Sequence, residues 1–338
     1  RGRSAYLQVL DDAIARALRR ELQLPTACQV YNAGGNFQLL ARPTDGTRLA
    51  EVRHAINQRL LHLHAGELVL ALDWTPVLSD DLASPAFRNA VDHVQERLAR
   101  QKARAFAELV AEDTASVFGL TGSGGVRFCE VCHVDLPDHR DPARLRCDQC
   151  QSFGDELAVQ LADPDRSQFL IVHEQTHLGQ IPDPAGWTGK PAWGQILQAF
   201  GYTYRFAGEH DHASAAHCFC YRVNNSDFLP THPRADCGYG FRFLANITPR
   251  ILPEEENTPE RNQALRRCLP PDERDDPRAI TRGVIRSTSL MAGWDCAGIH
   301  RYGVLRMDID NLGSLFRERL DQPHMLRISA LSAALNLF

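Results

Sequence analysis

The stretch Cys28–Leu40, CQVYNAGGNFQLL, is typical of a β-hairpin, because two short apolar runs flank a turn with two adjacent glycines. Paired glycines permit the positive φ angles that a tight turn between antiparallel strands requires. Apolar residues recur at helical spacing before this stretch, from Ser4 to Leu22, and after it, from Thr47 to Leu63. The pattern predicts a hairpin that lies between two amphipathic helices.

Two further elements follow the second helix. The apolar stretch Leu68–Leu72 predicts a buried strand, and the charged stretch Ser84–Phe118 predicts one long helix. The order helix, hairpin, helix, strand, helix suits a small sheet with helices on one face. Residues 1–120 are therefore expected to form an α+β domain of ferredoxin-like type that lacks its opening strand.

Two cysteine pairs come directly after a glycine-rich segment, Thr121–Gly125, that is typical of a linker. Fourteen residues separate the pairs, a spacing that lets four thiolates meet around one closed, structural zinc ion. Unliganded thiols are the alternative. Residues 121–298 are expected to be a zinc-binding linker domain, with the metal module at 129–150. The predicted ligands are Cys129, Cys132, Cys147 and Cys150.

Composition narrows the class of protein. The chain has 338 residues, 43% of them hydrophobic, and contains no run of eighteen apolar residues, which argues against a membrane span. The net charge of −5 argues against a generally basic nucleic-acid-binding surface, although it is compatible with a local basic patch. Ten cysteines without a secretory signal indicate a reducing compartment, and the cytoplasm is the expected location.

A second metal-binding pattern, H-E-x-x-H, lies at residues 173–177. On a helix it would place two imidazoles around a zinc ion with a glutamate as general base, which predicts a metalloprotease centred on His173, Glu174 and His177. The preceding residues, Phe169–Val172, favour a strand instead. In that case the motif would be exposed residues at the end of a strand.

A third pattern lies near the end of the chain. Tyr302–Met307 predicts a strand, and Asp308 and Asp310 follow it directly. Side chains two residues apart along a strand point to the same side, so the two carboxylates could share divalent metal ions for phosphoryl transfer. Residues 299–338 are expected to begin another domain.

These motifs occur in the order and spacing of one family. The chain resembles the large, polymerase-like subunit of type III-A, Csm-type, CRISPR effector complexes. The resemblance lies in the helix opened by Gly2-Arg3-Ser4, the hairpin Tyr31–Phe37, the cysteine pairs and the segment Gly303–Gly313. The resemblance extends over almost the whole chain. It is tightest at the cysteine pairs and at the aspartate segment.

The resemblance implies two palm domains, related to diguanylate cyclases, on either side of a zinc-bearing linker domain. It implies that Asp308 and Asp310 bind Mg²⁺ or Mn²⁺ and help to convert ATP into cyclic oligoadenylates when target RNA is recognised. Gly34, Gly35 and Asn36 would bind nucleotide in a non-catalytic hairpin, where Asn36 stands in place of an acidic metal ligand. This antiviral function would belong to the intact parent protein.

The resemblance also implies features beyond these 338 residues. The family's HD nuclease domain and its Gly-Gly-Asp-Asp hairpin are not found in this sequence, so the chain alone is expected to be inactive. Other subunits of the effector complex, guide RNA and target RNA are the expected partners, and no membrane is expected. The alternative to an enzyme is a non-enzymatic, RNA-binding scaffold with degenerate palm domains.

Overall fold

A computed structural model gives the fold of the chain. The structure describes residues 2–33, 35–118, 127–136, 143, 145–163, 165–175, 178–181, 187, 189–208, 218–242, 258–271, 274–276, 279–280, 288–294, 299, 301, 325–327 and 329–330. Within this part, helices and strands are both present, so the α+β class predicted from the sequence is confirmed.

Two helices and a hairpin form the start of the chain, as the sequence predicts. The hairpin strands β1, Gln29–Ala33, and β2, Asn36–Leu39, pair antiparallel. Helix α1, Gly2–Glu21, precedes them and helix α2, Gly46–His64, follows them. Short 3₁₀ turns lie on either side of the hairpin, at Thr26–Cys28 and Pro43–Asp45.

The segment after α2 is not part of a sheet, so the strand predicted for Leu68–Leu72 is wrong. Side-chain amides occupy the place of a neighbouring strand. Asn57 accepts from the Leu70 N–H at 2.8 Å and donates to the Leu70 carbonyl at 3.1 Å. Gln101 makes the same two bonds with Leu72, both at 3.0 Å. The backbone groups of this segment thus gain partners without a strand pairing.

The single helix predicted for Ser84–Phe118 is interrupted. The structure has α3, Ala86–Lys102, then α4, Ala107–Glu112, and α5, Thr114–Phe118, with a short 3₁₀ helix, Ser79–Ala83, before them. Phe106 breaks the helix because its backbone is left-handed, with φ of 58°. The turn redirects the chain so that Leu109 is buried and Glu108 contacts Arg53 of α2.

A four-stranded sheet forms in the second half of the described chain. Its order is β4-β3-β5-β6, in which β3 is antiparallel to β4 and β5 whereas β5 and β6 are parallel. The sequence predicted the apolar part of β3 but not the sheet. The strands are β3, Phe169–Glu174, β4, Tyr202–Ala207, β5, Cys218–Val223, and β6, Cys237–Arg242.

Shorter helices precede and follow the strands of this sheet along the chain. A continuous helical stretch consists of α6, Asp148–Gln151, a π-helical segment, Ser152–Leu157, and α7, Ala158–Ala162. Helix α8 spans Trp193–Ala199, α9 spans Pro259–Cys268 and α10 spans Thr288–Ala292. Among the helices of the described residues, none has the length and apolar character needed to cross a membrane.

Helices α1 and α2 share one hydrophobic core with the sheet. Leu170 and Val172 of β3 face this core, whereas Phe169 and Ile171 face the opposite side of the sheet, as alternation along a strand requires. Helix α1 therefore covers one face of a sheet that is far from it in sequence. Its buried apolar side chains include Tyr6, Val9, Leu10, Ala13, Ile14 and Leu18.

A buried ionic network also ties α1 to the sheet. Its centre is the carboxylate of Asp12, which accepts from Arg16 at 2.7 Å, from the Tyr204 hydroxyl at 2.9 Å and from Arg242. Burial alone would raise the pKa of Asp12, but the charges of both arginines and these hydrogen bonds lower it to about 2. Arg16 also donates to the Tyr221 hydroxyl, so the network reaches β4, β5 and β6.

Replacing Asp12 with alanine should lower the free energy of unfolding by roughly 3–5 kcal/mol, because the buried Arg16 and the partly buried Arg242 lose their counter-charge. Urea unfolding followed by circular dichroism at neutral pH measures this change. Asp11→Asn is the matched control. Burial and the charge of Asp12 raise the pKa of Asp11 to about 6, so ionisation of Asp11 costs stability as the pH rises through that value. At neutral pH, the Asp11→Asn control should therefore lose no free energy of unfolding. Equal losses in both variants would contradict the role of Asp12.

A second buried titratable group lies at the end of α2. The imidazole of His64 has Nε2 2.9 Å from the Tyr6 hydroxyl and Nδ1 3.5 Å from the Gln149 side chain. Burial, and then the charge of Lys190, lower the pKa of His64 from 6.5 to about 4. The folded protein therefore holds this imidazole neutral.

This pKa difference predicts a loss of stability at acidic pH. Above pH 6.5, the pKa of His64 in the unfolded chain, the imidazole is neutral in both states, so its protonation does not affect the free energy of unfolding. As the pH falls toward 4, the unfolded chain takes up a proton that the folded chain does not, and this favours unfolding. The loss between about pH 7.5 and about pH 5.5 should be about 1.3 kcal/mol, measured by urea unfolding at each pH. His64→Gln should remove this component, whereas His62→Gln, at an exposed position of the same helix, should keep it. An unchanged pH dependence in His64→Gln would refute the assignment.

Candidate metal centre

Four cysteine sulfurs form one compact cluster, as the sequence predicts. The sulfurs of Cys129, Cys132, Cys147 and Cys150 all lie within 4.8 Å of one another, and those of Cys132 and Cys147 are 3.6 Å apart. Sulfurs bound tetrahedrally about 2.3 Å from zinc would be separated by about 3.8 Å. The cluster therefore has the size of a four-cysteine zinc site. In the part of the chain that the structure describes, no other group of three metal-ligating side chains is this close.

The first pair is shaped by a tight backbone turn. His133 has a left-handed backbone, with φ of 58°, and its N–H donates to the Cys129 carbonyl at 2.9 Å. The Cys129 N–H in turn donates to the Val134 carbonyl at 2.9 Å. These bonds reverse the chain and bring the sulfur of Cys132 back beside that of Cys129.

The second pair opens a helix. Cys147 is the N-cap residue of α6, and its sulfur accepts from the Cys150 N–H at 3.4 Å. Its own N–H donates to the sulfur of Cys129 at 3.4 Å. The Glu130 N–H donates to the Leu145 carbonyl at 3.0 Å and joins the two pairs. Backbone hydrogen bonds thus position all four sulfurs independently of a metal.

The surroundings disfavour four uncompensated thiolates. Burial, followed by the nearby Cys132 sulfur, raises the pKa of Cys150 to about 11, and burial raises the pKa of Cys147 still further. Burial acts in the same direction on Cys129, but backbone N–H groups of Cys147, Cys132 and Val131 donate to its sulfur and lower its pKa to about 6. A divalent cation would offset the thiolate charge that burial penalises, so the site can hold zinc.

The cysteine module packs against the start of α1. A Cβ atom on Gly2 would lie 2.0 Å from the Phe153 carbonyl oxygen, so the close approach of the two segments requires glycine. Next to it, Nη2 of Arg3 lies 3.7 Å from the sulfur of Cys150, where a positive charge stabilises a thiolate. The ring of Tyr6 packs on that of Phe153, with centroids 4.7 Å apart.

Cys147→Ser should abolish stoichiometric zinc binding and lower the thermal unfolding temperature, because a serine hydroxyl is a poor replacement for a buried thiolate ligand. Metal content by mass spectrometry and thermal unfolding by circular dichroism measure the two effects. Cys28→Ser, outside the cluster, is the matched control and should retain one zinc per chain. A zinc content that is equal in the variant and the control would rule out the four-cysteine site.

The structure describes two of the other predicted site residues, Gly35 and Asn36, and neither belongs to this cluster. Gly35 has φ of 74° at the turn of the β1–β2 hairpin, and a Cβ added to it would meet nothing within 4 Å. Asn36 follows at the start of β2 and is exposed. Gly34, Asp308 and Asp310 lie outside the described residues. The nucleotide-binding and catalytic roles predicted for these residues stay predictions.

The H-E-x-x-H pattern does not begin on a helix. His173 and Glu174 are the last residues of β3, so their side chains point to opposite faces of the sheet. Glu174 accepts from the Tyr202 hydroxyl at 3.2 Å. This arrangement differs from the helix that a metalloprotease site of this pattern needs, and it supports the strand-end interpretation. His177 lies outside the described residues.

A pair of thiols that spacing alone did not predict lies in the sheet. Cys218 of β5 and Cys237 of β6 are register partners, and their sulfurs are 3.7 Å apart. Cys220 is buried on the same face. Among the described residues, these thiols do not belong to a cluster of three metal-ligating side chains.

Comparison with known proteins relates this architecture to one family. Residues 1–119 match the model of Csm1 subunit domain B. The chain is 26% identical over 214 residues to the single-strand-specific deoxyribonuclease Cas10/Csm1 (subtype III-A) of a CRISPR system in Thermococcus onnurineus, covering 58% of this chain and 27% of the relative. It is 26% identical over 208 residues to the protein of the same name in Mycobacterium tuberculosis, covering 56% and 25%. The chain thus spans about a quarter of the length of these relatives.

Solved structures share the fold. A chain in the crystal structure of a Csm1–Csm4 cassette in complex with pppApA matches 98% of this chain and 34% of its own length, with a TM-score of 0.53 and 16% identity. The cassette in complex with cA4 gives the same values. Each of these likenesses covers almost the whole chain.

The domain B match and the relatives relate the chain to the Cas10/Csm1 subunits of type III-A CRISPR systems, and the solved structures show a shared fold. Within that class, the chain is similar to the Csm-type Cas10 proteins of subtype III-A. The resemblance found in the sequence is therefore confirmed at the level of the family.

Proposed function

We propose that the intact protein converts ATP into cyclic oligoadenylates when its effector complex binds target RNA. The observation that carries this proposal is the fold shared, over 98% of the chain, with chains of Csm1–Csm4 cassettes in complex with AMPPNP, pppApA, cA3 and cA4. A triphosphate analogue, a triphosphorylated dinucleotide and larger adenylate products are a set of ligands that suits stepwise synthesis from ATP.

In this proposal each part of the chain has a separate task. Residues 1–120 form the first palm domain, residues 121–298 the linker domain with its zinc module, and residues 299–338 the beginning of the second palm domain. The hairpin residues Gly34, Gly35 and Asn36 bind nucleotide. The described part of this hairpin suits that task, because Gly35 has a left-handed backbone and open space around it, so a ligand can approach the main chain closely.

The chemistry is assigned to the second palm domain. In each extension step the 3′-hydroxyl of one adenylate releases its proton, its oxygen bonds to the α-phosphorus of the next ATP, and pyrophosphate leaves. Ring closure uses the same reaction on the α-phosphorus of the strand's own 5′-triphosphate. Asp308 and Asp310 would hold Mg²⁺ or Mn²⁺, which supplies activation of the 3′-hydroxyl and compensation of the phosphate charge. These two carboxylates need further partners to hold two ions, so the 338-residue chain by itself is proposed to be inactive.

The zinc module has a structural task in this proposal. All four metal positions would be filled by Cys129, Cys132, Cys147 and Cys150, which leaves none open for a substrate. The module would hold the linker domain in place beside α1, while other subunits, guide RNA and target RNA bind around it. The related cassettes contain Csm4, which supports a subunit of this kind as a partner.

Asp308→Asn combined with Asp310→Asn, made in the intact subunit, should reduce cyclic oligoadenylate formation by roughly a hundredfold or more, because a divalent metal site loses both charges. The assembled complex, incubated with ATP, Mg²⁺ and target RNA, is assayed by chromatography of the products. Asp227→Asn, an exposed aspartate in the loop after β5, is the matched control and should leave the rate unchanged.

Target-RNA binding is measured in parallel. A double variant that binds target RNA but makes no product supports the enzyme. If the unmodified complex binds target RNA and turns over no ATP, the protein is a non-enzymatic RNA-binding scaffold, and the proposal fails. Full activity in the double variant would also overturn the assignment of Asp308 and Asp310.

A further inference from the structure

A cavity of about 430 Å³ lies in the first domain between α2, residues 69–73, α3 and α4. None of the cysteine-cluster residues lines it, and none of the hairpin residues that the structure describes does so. Pockets of roughly 300–1,000 Å³ are typical of small-molecule sites, and this cavity is large enough for one nucleotide.

Arginines dominate the charge of the cavity. Four of them line it together with two carboxylates, those of Asp73 and Glu108, which gives a formal charge of 4 − 2 = +2 in a chain of net charge −5. This is the local basic patch that the total charge conceals. The four arginines are Arg53, Arg97, Arg100 and Arg104.

Two of these arginines are held in place and two are available. Arg97 pairs with Asp73, and Arg53 pairs with Glu108 and donates to the Leu72 carbonyl at 2.9 Å. Arg100 and Arg104 are exposed at the end of α3 and in the turn that follows. Neither has an ion pair or a side-chain hydrogen bond to any residue that the structure describes.

The hydrogen-bonding capacity of Arg53 is also incompletely used. Its Nε atom is buried and has no hydrogen-bond partner among the described residues, and the side chain as a whole is only 14% exposed. The polar side of the cavity thus offers two guanidinium groups, those of Arg100 and Arg104, without partners among the described residues.

The remaining wall is partly apolar. Val69, Leu109 and Phe106 contribute to it, beside the amides of Asn57 and Gln101. Phe106 occupies the left-handed position between α3 and α4, so the same turn that interrupts the helix brings this residue to the cavity. An aromatic ring beside guanidinium groups suits a base next to a phosphate.

We propose that this cavity binds a phosphate-bearing nucleotide unit, either a free nucleotide or one residue of an RNA strand. Arg100 and Arg104 contact its phosphate, and the wall around Phe106 receives its base. The site is separate from the palm site assigned to Asp308 and Asp310, and it requires no divalent metal.

The experiment uses the full 338-residue chain with two probes, ATP and a hexa-adenylate RNA, both without Mg²⁺ or Mn²⁺ and at low ionic strength. Calorimetry measures ATP binding, and fluorescence anisotropy measures binding of the labelled RNA. Arg100→Ser with Arg104→Ser should weaken binding of the true ligand by about tenfold or more, because charge-assisted contacts to phosphate are lost. Arg88→Ser with Lys102→Ser removes the same charge from α3 outside the cavity and should change affinity less than about twofold.

A third variant tests the site by a gain of affinity. Glu108→Gln removes the carboxylate that pairs with Arg53 and raises the formal charge of the lining from +2 to +3. Binding should become about threefold tighter, an effect that structural damage would not produce. An unchanged or weaker affinity in Glu108→Gln would count against the cavity.

The two probes distinguish the sources of the nucleotide. Loss of ATP binding alone in the Arg100/Arg104 variant identifies a free nucleotide, and loss of RNA binding alone identifies an RNA strand. Loss of both supports the shared chemistry. If neither probe binds the chain, or if the cavity variant and the α3 control bind equally well, the proposal is wrong.

Discussion

The carboxylate of Asp12 is the interaction on which the arrangement of the described chain depends. A buried charge is tolerated only with its counter-charges, and two of its partners, Tyr204 and Arg242, come from strands that lie far along the chain. The carboxylate can therefore be buried only when α1 already covers β4, β5 and β6. Apolar contacts alone would allow α1 to shift on the sheet, whereas this network fixes both its position and its direction.

The same helix also meets the cysteine module. Its first turn approaches Phe153 so closely that Gly2 is required, and Arg3 reaches the sulfur of Cys150. A further glycine, Gly189, packs on Cys147 with a left-handed backbone, where a Cβ would lie 2.8 Å from that of Cys147. The sulfur cluster is thus fitted between α1 and a later loop. A metal that orders the four sulfurs would also stabilise the start of α1, which couples the metal module to the sheet through one helix.

The features that could be predicted from sequence are local ones. The hairpin Cys28–Leu40 follows from turn chemistry, α1 and α2 follow from periodicity, and the cysteine pairs need only their own spacing. One error arose where side chains of other segments intervene, and the other where the left-handed backbone of Phe106 interrupts a helical pattern. Asn57 and Gln101 replace a strand beside Leu68–Leu72, and no periodicity reveals amides in that role. The sheet order and the partners of Asp12 depend on contacts between remote segments, which one sequence does not encode as a pattern.

The arginines show why position matters more than number. A net charge of −5 excludes a uniformly basic surface. Many of the arginines in the described chain form ion pairs with carboxylates, as Arg16 and Arg242 do with Asp12. In the cavity beside α3, Asp73 and Glu108 neutralise two arginines, and the turn at Phe106 leaves Arg100 and Arg104 without such partners among the described residues. An arginine without an ion pair among the described residues can bind an anion from solution. The helix break that periodicity missed is therefore also the feature that creates the charged cavity.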